Sequence, residues 1–310
     1  MHALGLTPDD LENKVIIRPP VEAYSLIIGI TEGCWWGRCR FCGVYYNTRT
    51  KEVIQRYRVR PLEIIFKELE YYHKIYGEYV SKVFLAGGSA LSAPTDHLIK
   101  VLDKIKELFP DVKRISSYAK NLDILRKSDE ELRQIHEHGL DIVYMGLESG
   151  SRRILKTMQK GTTPENMIKA AKKILAAGVK ISVYIVLGLG GKKYSEEHAL
   201  ETAKVLNEMR PTIFRFRTLN ILPTTLLWED CNQGKFEIVE PYGILKEQLT
   251  IIENLNDDLE CEVYNDHHSN YEYWESGNIK EDKQKIIKLL KARLKDPATK
   301  RLKHKHLLHM

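Results

Sequence analysis

The sequence predicts an α/β protein whose main unit is a partial (β/α)6 TIM-like barrel, with an N-terminal extension and a mostly helical C-terminal cover. Three observations support this fold class. Short β-rich runs alternate with amphipathic helical stretches through most of the chain. Start and stop signals separate the two kinds of segment. The alternating part is shorter than the roughly 250 residues that a complete eight-unit barrel typically needs, so six units fit better.

Six runs rich in β-branched and aromatic residues are predicted strands: Tyr24–Thr31, Lys82–Ala86, Arg114–Tyr118, Ile142–Leu147, Lys180–Gly188 and Thr212–Leu222. Five helical patterns lie between them: Pro61–Tyr76, Thr95–Leu108, Asp129–His138, Pro164–Ala177 and Glu196–Met209. Ser128 is a candidate N-cap, and Gly139 and Gly178 follow helical patterns as C-terminal glycines. In parallel barrels the chemistry gathers where strands end, so the strand-to-helix junctions are the expected site.

The chain divides into three predicted segments. Residues 1–20 form the N-terminal extension, residues 21–225 the barrel core, and residues 226–310 a helical and irregular region with a basic tail. The last segment contains a lysine-rich amphipathic helix at Lys280–Leu294. This basic region is either a solvated surface or a contact for an acidic partner or nucleic acid. Nucleic acid is not favoured, because aromatic residues do not interleave with the lysines.

The composition is that of a globular protein, with 43% hydrophobic and 29% charged residues and a formal net charge of +6. The longest apolar stretches are far shorter than a membrane span, so no membrane partner is expected. The first ten residues lack the basic start and apolar run of a secretory signal. We therefore expect a cytoplasmic protein with reduced cysteines.

The strongest local signal is a cysteine triplet directly after the first predicted strand. Cys34, Cys39 and Cys42 lie on one short loop that also contains Gly33 and Gly37. Three thiolates can hold three irons of a cubane [4Fe–4S] cluster. The fourth iron then keeps an open position for a substrate, as a catalytic zinc ion does. Glycines allow the loop to wrap around a bulky group.

Other interpretations of the triplet stay open at this stage. A structural zinc site normally needs four ligands, and no fourth Cys or His stands at zinc-finger spacing. Cys231 and Cys261 are too far along the chain to be assigned a role. Cys39 and Cys42 form a CxxC pair that suits a redox relay. Three reduced cysteines without any cofactor are the remaining possibility.

The triplet resembles the CxxxCxΦC loop of the radical S-adenosylmethionine (SAM) superfamily, where Φ is aromatic. Phe41 occupies Φ, and four residues rather than three separate Cys34 from Cys39. The resemblance is greatest to the branch with the Elongator catalytic subunit, the methylthiotransferases and oxygen-independent coproporphyrinogen oxidase. It implies a [4Fe–4S] cluster on the three cysteines, including Cys42, and contact of Phe41 with the adenine of SAM.

Further segments resemble the SAM-binding motifs of that family. Gly87, Gly88 and Ser89 follow the second strand where the family has Gly-Gly-Glu, which implies contact with the methionine amino group, although Ser89 replaces the usual acid. Glu148 closes the fourth strand in a GxES segment with a Lys160-Gly161 turn downstream. The resemblance implies that its carboxylate binds the SAM ribose or amino group.

Three other positions complete the SAM site that the resemblance implies. Gly188 ends the fifth strand in the segment resembling the adenine contact. Ser116 and Ser117 end the third strand and are candidate contacts to the ribose, or else satisfied core hydroxyls. Leu222 follows the sixth strand and borders the adenine through its backbone.

The resemblance implies an enzyme that uses one electron, from a donor such as ferredoxin or flavodoxin, to cleave SAM to a 5′-deoxyadenosyl radical. That radical would abstract hydrogen from an unidentified small molecule, peptide or nucleoside. Five arginines near the predicted barrel mouth could hold a carboxylate or phosphate, or form framework salt bridges: Arg56, Arg58, Arg60, Arg215 and Arg217. The alternative function is a non-catalytic iron–sulfur or zinc scaffold with a basic C-terminal contact surface.

Overall fold

A computed structural model describes residues 17–274 and 277–304. Its main element is an open eight-stranded sheet in which neighbours in sequence are neighbours in space. Strands β1 to β7 are parallel, and β8 is antiparallel to β7. The strands are β1 (Leu26–Gly29), β2 (Lys82–Ala86), β3 (Arg114–Tyr118), β4 (Leu140–Glu148), β5 (Lys180–Leu187), β6 (Ile213–Thr218), β7 (Glu262–Tyr264) and β8 (Gly277–Asn278).

The α-helices connect and cover this sheet. They are α1 (Leu62–Tyr76), α2 (Thr95–Leu108), α3 (Asn121–Arg126), α4 (Asp129–Glu137), α5 (Arg152–Thr157), α6 (Pro164–Ala176), α7 (Ser195–Met209), α8 (Leu226–Asn232), α9 (Pro241–Glu253) and α10 (Ile279–Lys295). Two short antiparallel ribbons flank the cysteine loop. One pairs Thr31–Glu32 with Arg58–Val59, and the other pairs Tyr46–Asn47 with Glu52–Val53.

The predicted fold class is confirmed, and all six predicted strands are present. β2 and β3 have the predicted bounds, whereas β6 ends at Thr218, before the predicted Leu222. Thr218 pairs with Leu187, the last residue of β5, so β6 has no neighbouring strand on that side beyond this point. The sheet gains β7 and β8 from the region predicted to be helical and irregular. These strands are too short for a two-residue alternation to be visible in the sequence.

Apolar faces predicted from the sequence build the core between the helices and the sheet. On α2, for example, Leu98, Val101, Leu102 and Ile105 are almost fully buried. The N-cap predicted at Ser128 is a complete capping box, in which its hydroxyl accepts from the N–H of Glu131 and its own N–H donates to the Glu131 carboxylate.

The predicted lysine-rich helix is α10, and it packs against the barrel. Ile286 and Leu290 are buried, while Lys283 donates to the carboxylate of Asp257 at 2.6 Å. Lys280 and Lys291 also pair with carboxylates from the preceding segment. Part of the basic face is therefore neutralised within the chain. In the part of the chain that the structure describes, no helix combines the length and the apolar character needed to cross a bilayer.

The described end of the N-terminal extension packs against the amino ends of the strands. Glu22 follows the predicted extension and is fully buried. Its carboxylate accepts from Ser25, from the Tyr144 hydroxyl, and from Arg114 at 2.8 Å. Paired in this way, the buried charge fixes the chain entry at the bottom of the barrel. Residues 1–16 of the predicted extension lie outside the described residues.

Candidate active site

A cavity of about 330 Å³ opens at the carboxyl ends of the strands, which is where the sequence predicts the site. It brings together residues from the cysteine loop, the ends of β2 and β4, and the strands of the barrel wall. Seven of the predicted site residues line it: Cys34, Phe41, Cys39, Cys42, Gly87, Gly88 and Glu148. Residues separated by more than a hundred positions in sequence therefore share one cavity.

The cysteine loop is held in place by main-chain and side-chain contacts at its centre. The N–H of Arg40 donates to the carbonyl of Met158 at 3.0 Å, and its own carbonyl accepts from the N–H of Leu227 at 3.0 Å. Its guanidinium pairs with Asp230 at 2.5 Å. Arg40 thus ties the loop to residues next to α5 and within α8, so the thiols on either side of it have a fixed backbone.

The two glycines after β2 allow the strand end to lie directly against the cysteine loop. The N–H of Gly88 donates to the carbonyl of Gly33 at 3.0 Å. A Cβ on Gly88 would come within 2.3 Å of that carbonyl oxygen and 2.8 Å of Cys34 Cα. A Cβ on Gly87 would lie 2.1 Å from the Thr31 hydroxyl. No larger residue fits at either position without moving the loop.

Glu148 ends β4 in an unusual backbone conformation that directs its carboxylate to Lys160. Its φ of 63° lies in the left-handed region, and the β4–β5 register shifts between Gly146 and Glu148. Lys160 donates to the carboxylate at 2.6 Å, with both side chains about nine-tenths buried. A Cβ on Gly146 would lie 1.9 Å from that carboxylate oxygen. The left-handed backbone costs about 1 kcal/mol, and it places the carboxylate where Lys160 can pair with it.

Burial and the neighbouring Lys160 act in opposite directions on the cysteines. Burial raises the pKa of the Cys39 thiol to about 12, although Lys160 and Lys120 oppose this shift. Burial raises the pKa of Cys42 as well. Burial would lower the pKa of Lys160, yet the Glu148 carboxylate and the nearby thiols hold it above its ordinary value. The ammonium groups of Lys160 and Lys120 favour the thiolate form of the cysteines. Thiolates are the form in which cysteines bind metals, so this arrangement suits a metal-containing group.

A model of the radical SAM superfamily matches residues 28–206, which is more than half of the chain and includes the cysteine loop, Gly87-Gly88 and Glu148. The chain belongs to the radical SAM superfamily. The members of this superfamily are enzymes that use a [4Fe–4S] cluster and SAM and cleave SAM reductively.

Curated relatives support the predicted branch of this radical SAM protein. A tRNA-2-methylthio-N(6)-dimethylallyladenosine synthase of Fusobacterium nucleatum is 29% identical over 196 residues, covering 59% of this chain and 40% of that protein. An uncharacterized methyltransferase of Pyrococcus horikoshii is 25% identical over 233 residues, covering 71% of this chain and 47% of that protein. The chain thus spans less than half the length of these relatives.

Solved structures share the fold of this radical SAM protein. The radical SAM methyltransferase TsrM of Kitasatospora setae, with cobalamin and a [4Fe–4S] cluster bound, has a TM-score of 0.51 and 18% identity, covering 67% of this chain and 39% of TsrM. Methylornithine synthase (PylB) has a TM-score of 0.50 and 15% identity, covering 86% of this chain and 81% of PylB.

The site of the radical SAM core fits a cluster better than a single metal ion. The three cysteines line one cavity, and the glycines at the end of β2 make room for the loop that carries them. Within the described ranges, no three Cys, His, Asp or Glu side chains are arranged to hold one ion. A structural zinc ion would need four such ligands around one point. In a cubane cluster each thiolate binds a different iron.

Ser89 lies outside the cavity lining, in a buried network next to the cysteine loop. Its hydroxyl donates to Asp123 at 2.5 Å and accepts from the N–H of Lys120 at 2.9 Å. The Trp35 indole N–H also donates to Asp123, at 3.2 Å. Asp123 therefore links the residue that replaces the family acid to the cysteine loop. Contact of Ser89 with SAM stays a prediction.

Four other predicted contacts also lie outside the cavity lining. Ser116 and Ser117 are buried in β3 and donate to the carbonyls of Val83 at 3.3 Å and Tyr118 at 2.9 Å, which is how satisfied core hydroxyls behave. Gly188 follows β5, and Leu222 lies in the loop after β6. Their roles toward SAM remain predictions, because a side chain or carbonyl engaged within the protein can still lie near a ligand.

Phe41 occupies the aromatic position of the loop and lines the cavity. It packs against a small apolar cluster formed by Ile154, Met158, Leu189, Ile221 and Leu227. This cluster joins residues after β5 and β6 to α5 and α8. A planar ring entering the cavity would therefore meet an apolar wall on this side, as the resemblance implies for the adenine of SAM.

Most of the arginines predicted near the barrel mouth are framework residues. Arg58 makes a two-point contact with Glu32 at 2.6 and 2.8 Å, and Arg60 is buried against Glu68 at 2.6 Å. Arg215 pairs with Asp266 at 3.5 Å. Arg56 is exposed. Arg217 alone among the five lines the cavity.

Sequence reasoning missed one charged residue of this site and one buried carboxylate outside the cavity lining. The sequence predicted Lys160 only as part of a turn. Its position one short helix after Glu148 was the signal that the two side chains could meet. A second, fully buried carboxylate, Glu247 on α9, accepts from the N–H of Gly188 and the Ser195 hydroxyl, each at 2.6 Å. Nothing in the sequence distinguishes Glu247 from a surface residue of an amphipathic helix.

Proposed function

We propose that this chain holds a [4Fe–4S] cluster on Cys34, Cys39 and Cys42 and cleaves SAM at the iron that these residues leave open. The observation that carries the proposal is the meeting of the three cysteines, Gly87-Gly88 and the Glu148–Lys160 pair in one cavity. When bound, the cluster passes one electron from an external donor to SAM, which gives methionine and a 5′-deoxyadenosyl radical.

The Glu148–Lys160 pair matches the two charges at the amino-acid end of SAM. The Glu148 carboxylate accepts hydrogen bonds from an ammonium group, while the Lys160 ammonium attracts a carboxylate. The carbonyls of Gly87 and Gly88 are further acceptors, and the missing side chains allow a ligand to approach them. These residues would orient SAM, and orientation is what the protein contributes to cofactor chemistry.

We propose that the substrate is a small molecule, peptide or nucleoside and that a ferredoxin or flavodoxin supplies the electron. Nucleic acid as a whole is not favoured. A cytoplasmic location stays a prediction.

Anaerobic reconstitution tests the proposed function directly. The full chain, loaded with iron and sulfide, should show the absorption and electron paramagnetic resonance of a [4Fe–4S] cluster, and SAM should perturb the resonance. Addition of dithionite and SAM should then yield 5′-deoxyadenosine without any substrate. Replacing Cys34, Cys39 or Cys42 with Ala should abolish both results. The matched Cys231→Ala variant should behave as the wild type, because Cys231 lies outside the cavity lining.

The same experiment separates the alternative function. A fully loaded chain that neither responds to SAM nor forms 5′-deoxyadenosine would be an iron–sulfur scaffold. Stoichiometric zinc without iron uptake would indicate a zinc protein. Either result contradicts the proposal.

A further inference from the structure

One wall of the cavity, formed by residues of β3 to β6, has a distinct chemistry that the cleavage of SAM does not use. Tyr118, Tyr144 and Tyr184 project from β3, β4 and β5, and adjacent rings lie 6.2 Å apart between centroids. Arg217 on β6 places its guanidinium 4.3 Å from the centroid of the Tyr184 ring. Three tyrosine rings and one guanidinium therefore line the same part of the cavity.

The guanidinium of Arg217 has buried donors without acceptors. Its Nε and Nη2 atoms are inaccessible to solvent and make no hydrogen bond to the described residues. Arg215, two residues earlier on the same strand, instead pairs with Asp266 at 3.5 Å and stacks on the Tyr264 ring at 3.9 Å. Buried donors of a charged group that lack acceptors are costly, and a bound oxyanion would supply the acceptors that Nε and Nη2 of Arg217 lack.

The charge around the cavity points in the same direction. Three cations line it, Lys120, Lys160 and Arg217, against the single carboxylate of Glu148. That carboxylate is already bound by Lys160 at 2.6 Å. No carboxylate of the cavity lining is therefore left for the Arg217 guanidinium, and an oxyanion is the ligand that would balance its charge.

We propose that this part of the cavity binds the substrate, and that the substrate is a small molecule with a planar ring and an oxyanion group, either carboxylate or phosphate. Arg217 binds the oxyanion through its Nε and Nη2 donors. The planar ring of the substrate packs against the cavity wall formed by Tyr118, Tyr144 and Tyr184. This assignment rests on the proposed function, because it places the substrate beside SAM in one cavity.

Binding of simple probes to the reconstituted full chain, with SAM present, tests the assignment. Isothermal titration calorimetry would compare phenyl phosphate and benzoate with the neutral ring compounds phenol and benzamide. We expect at least one oxyanion probe to bind at least tenfold more tightly than its neutral counterpart, and the preferred probe identifies phosphate or carboxylate. Arg217→Gln should remove this preference. Arg210→Gln, at a surface arginine that pairs with Asp258, should retain it.

Three results would overturn the assignment. In the first, the wild type binds oxyanion and neutral probes equally. This result does not depend on whether any variant folds. In the second, Arg217→Gln keeps the preference for the oxyanion probe while its iron content and melting temperature match those of the wild type. In the third, probes that bind in a parallel titration without SAM are displaced when SAM is added, in which case Arg217 holds SAM itself. The 5′-deoxyadenosine assay on the same preparation separates the two levels: a protein that cleaves SAM but lacks the preference refutes only the substrate assignment.

Discussion

Lys160 contacts the one carboxylate of the cavity lining and also acts on the cysteines. It holds the Glu148 carboxylate at 2.6 Å, and it opposes the rise in the pKa of Cys39. Replacing Lys160 should therefore have two effects that can be measured separately. It should lower the stability of the fold by leaving the Glu148 carboxylate unpaired, and it should weaken the binding of anionic groups in the cavity.

We expect Lys160→Met to weaken SAM binding at least tenfold and to lower the free energy of unfolding by about 3 kcal/mol, because it leaves the Glu148 charge buried without a partner. Calorimetric titration with SAM and chemical denaturation would measure the two effects. Lys192→Met is the matched control, since the Lys192–Glu240 pair is half exposed and should contribute less than about 1 kcal/mol. Equal losses in both variants would show that Lys160 has no special role.

Gly88 is the residue at which the strand end and the cysteine loop come closest. We expect Gly88→Ala to lose most of its iron after reconstitution, because the new Cβ would lie 2.3 Å from the Gly33 carbonyl and displace Cys34. Iron and sulfide content per chain is the measurement. Gly234→Ala is the control: its φ of 68° is strained for alanine, but no atom lies within 4 Å of the added Cβ. It should cost about 1 kcal/mol of stability and keep normal iron content.

At the scale of elements, the sequence predicted the parts with strong periodicity and missed those that depend on contacts. The six long strands and the five helical patterns follow from apolar spacing, as in β2 and α2. The short helices α3, α5 and α8 carry too few turns for a periodic signal. The bulge that turns Glu148 toward Lys160 has no local signature, because non-glycine residues at positive φ are set by their tertiary partners. Seven of the twelve predicted site residues line the cavity, since strand ends converge by topology.

Helix α9 contributes a buried carboxylate to the end of β5, and its titration can be measured. Burial raises the pKa of Glu247 to about 8 from an ordinary value of 4.5, although Ser195 and the N–H of Gly188 favour the charged form. Between these values the folded state holds more protons than the unfolded state. The free energy of unfolding therefore falls as the pH rises from about 4.5 to about 8.

We expect Glu247→Gln to remove this pH dependence, so that the variant gains stability relative to the wild type between pH 5 and pH 8. Melting temperatures of both proteins across this range would test it. Burial lowers the pKa of the neighbouring His198 to about 4, so its imidazole is neutral in the folded state of the wild type across this range. A difference in melting temperature that is constant with pH, or that shrinks toward pH 8, would contradict the burial of a proton-binding carboxylate.

At the scale of the whole molecule, the cysteine loop depends on both of the larger predicted segments. The segment boundary at residue 225 was predicted from the end of the strand–helix alternation. In the structure, the N–H of Leu226 donates to the Thr48 hydroxyl at 2.9 Å, and Leu227 and Asp230 bind Arg40. No sequence pattern predicts these contacts, because they join residues nearly two hundred positions apart. The segment after the barrel strands thus supports the loop that carries the thiols.

We expect Asp230→Asn to release iron from the reconstituted protein about fivefold faster, because the loop loses a partly exposed charged hydrogen bond of about 1 kcal/mol. The measurement is the rate of iron transfer to a strong chelator under anaerobic conditions. Asp257→Asn is the control: it removes a similarly short ion pair, to Lys283 at 2.6 Å, between the segment after α9 and α10. If both variants lose iron at the same rate, the effect is one of general stability. A selective increase in Asp230→Asn would mean that the C-terminal segment retains the cluster through the Arg40 contact.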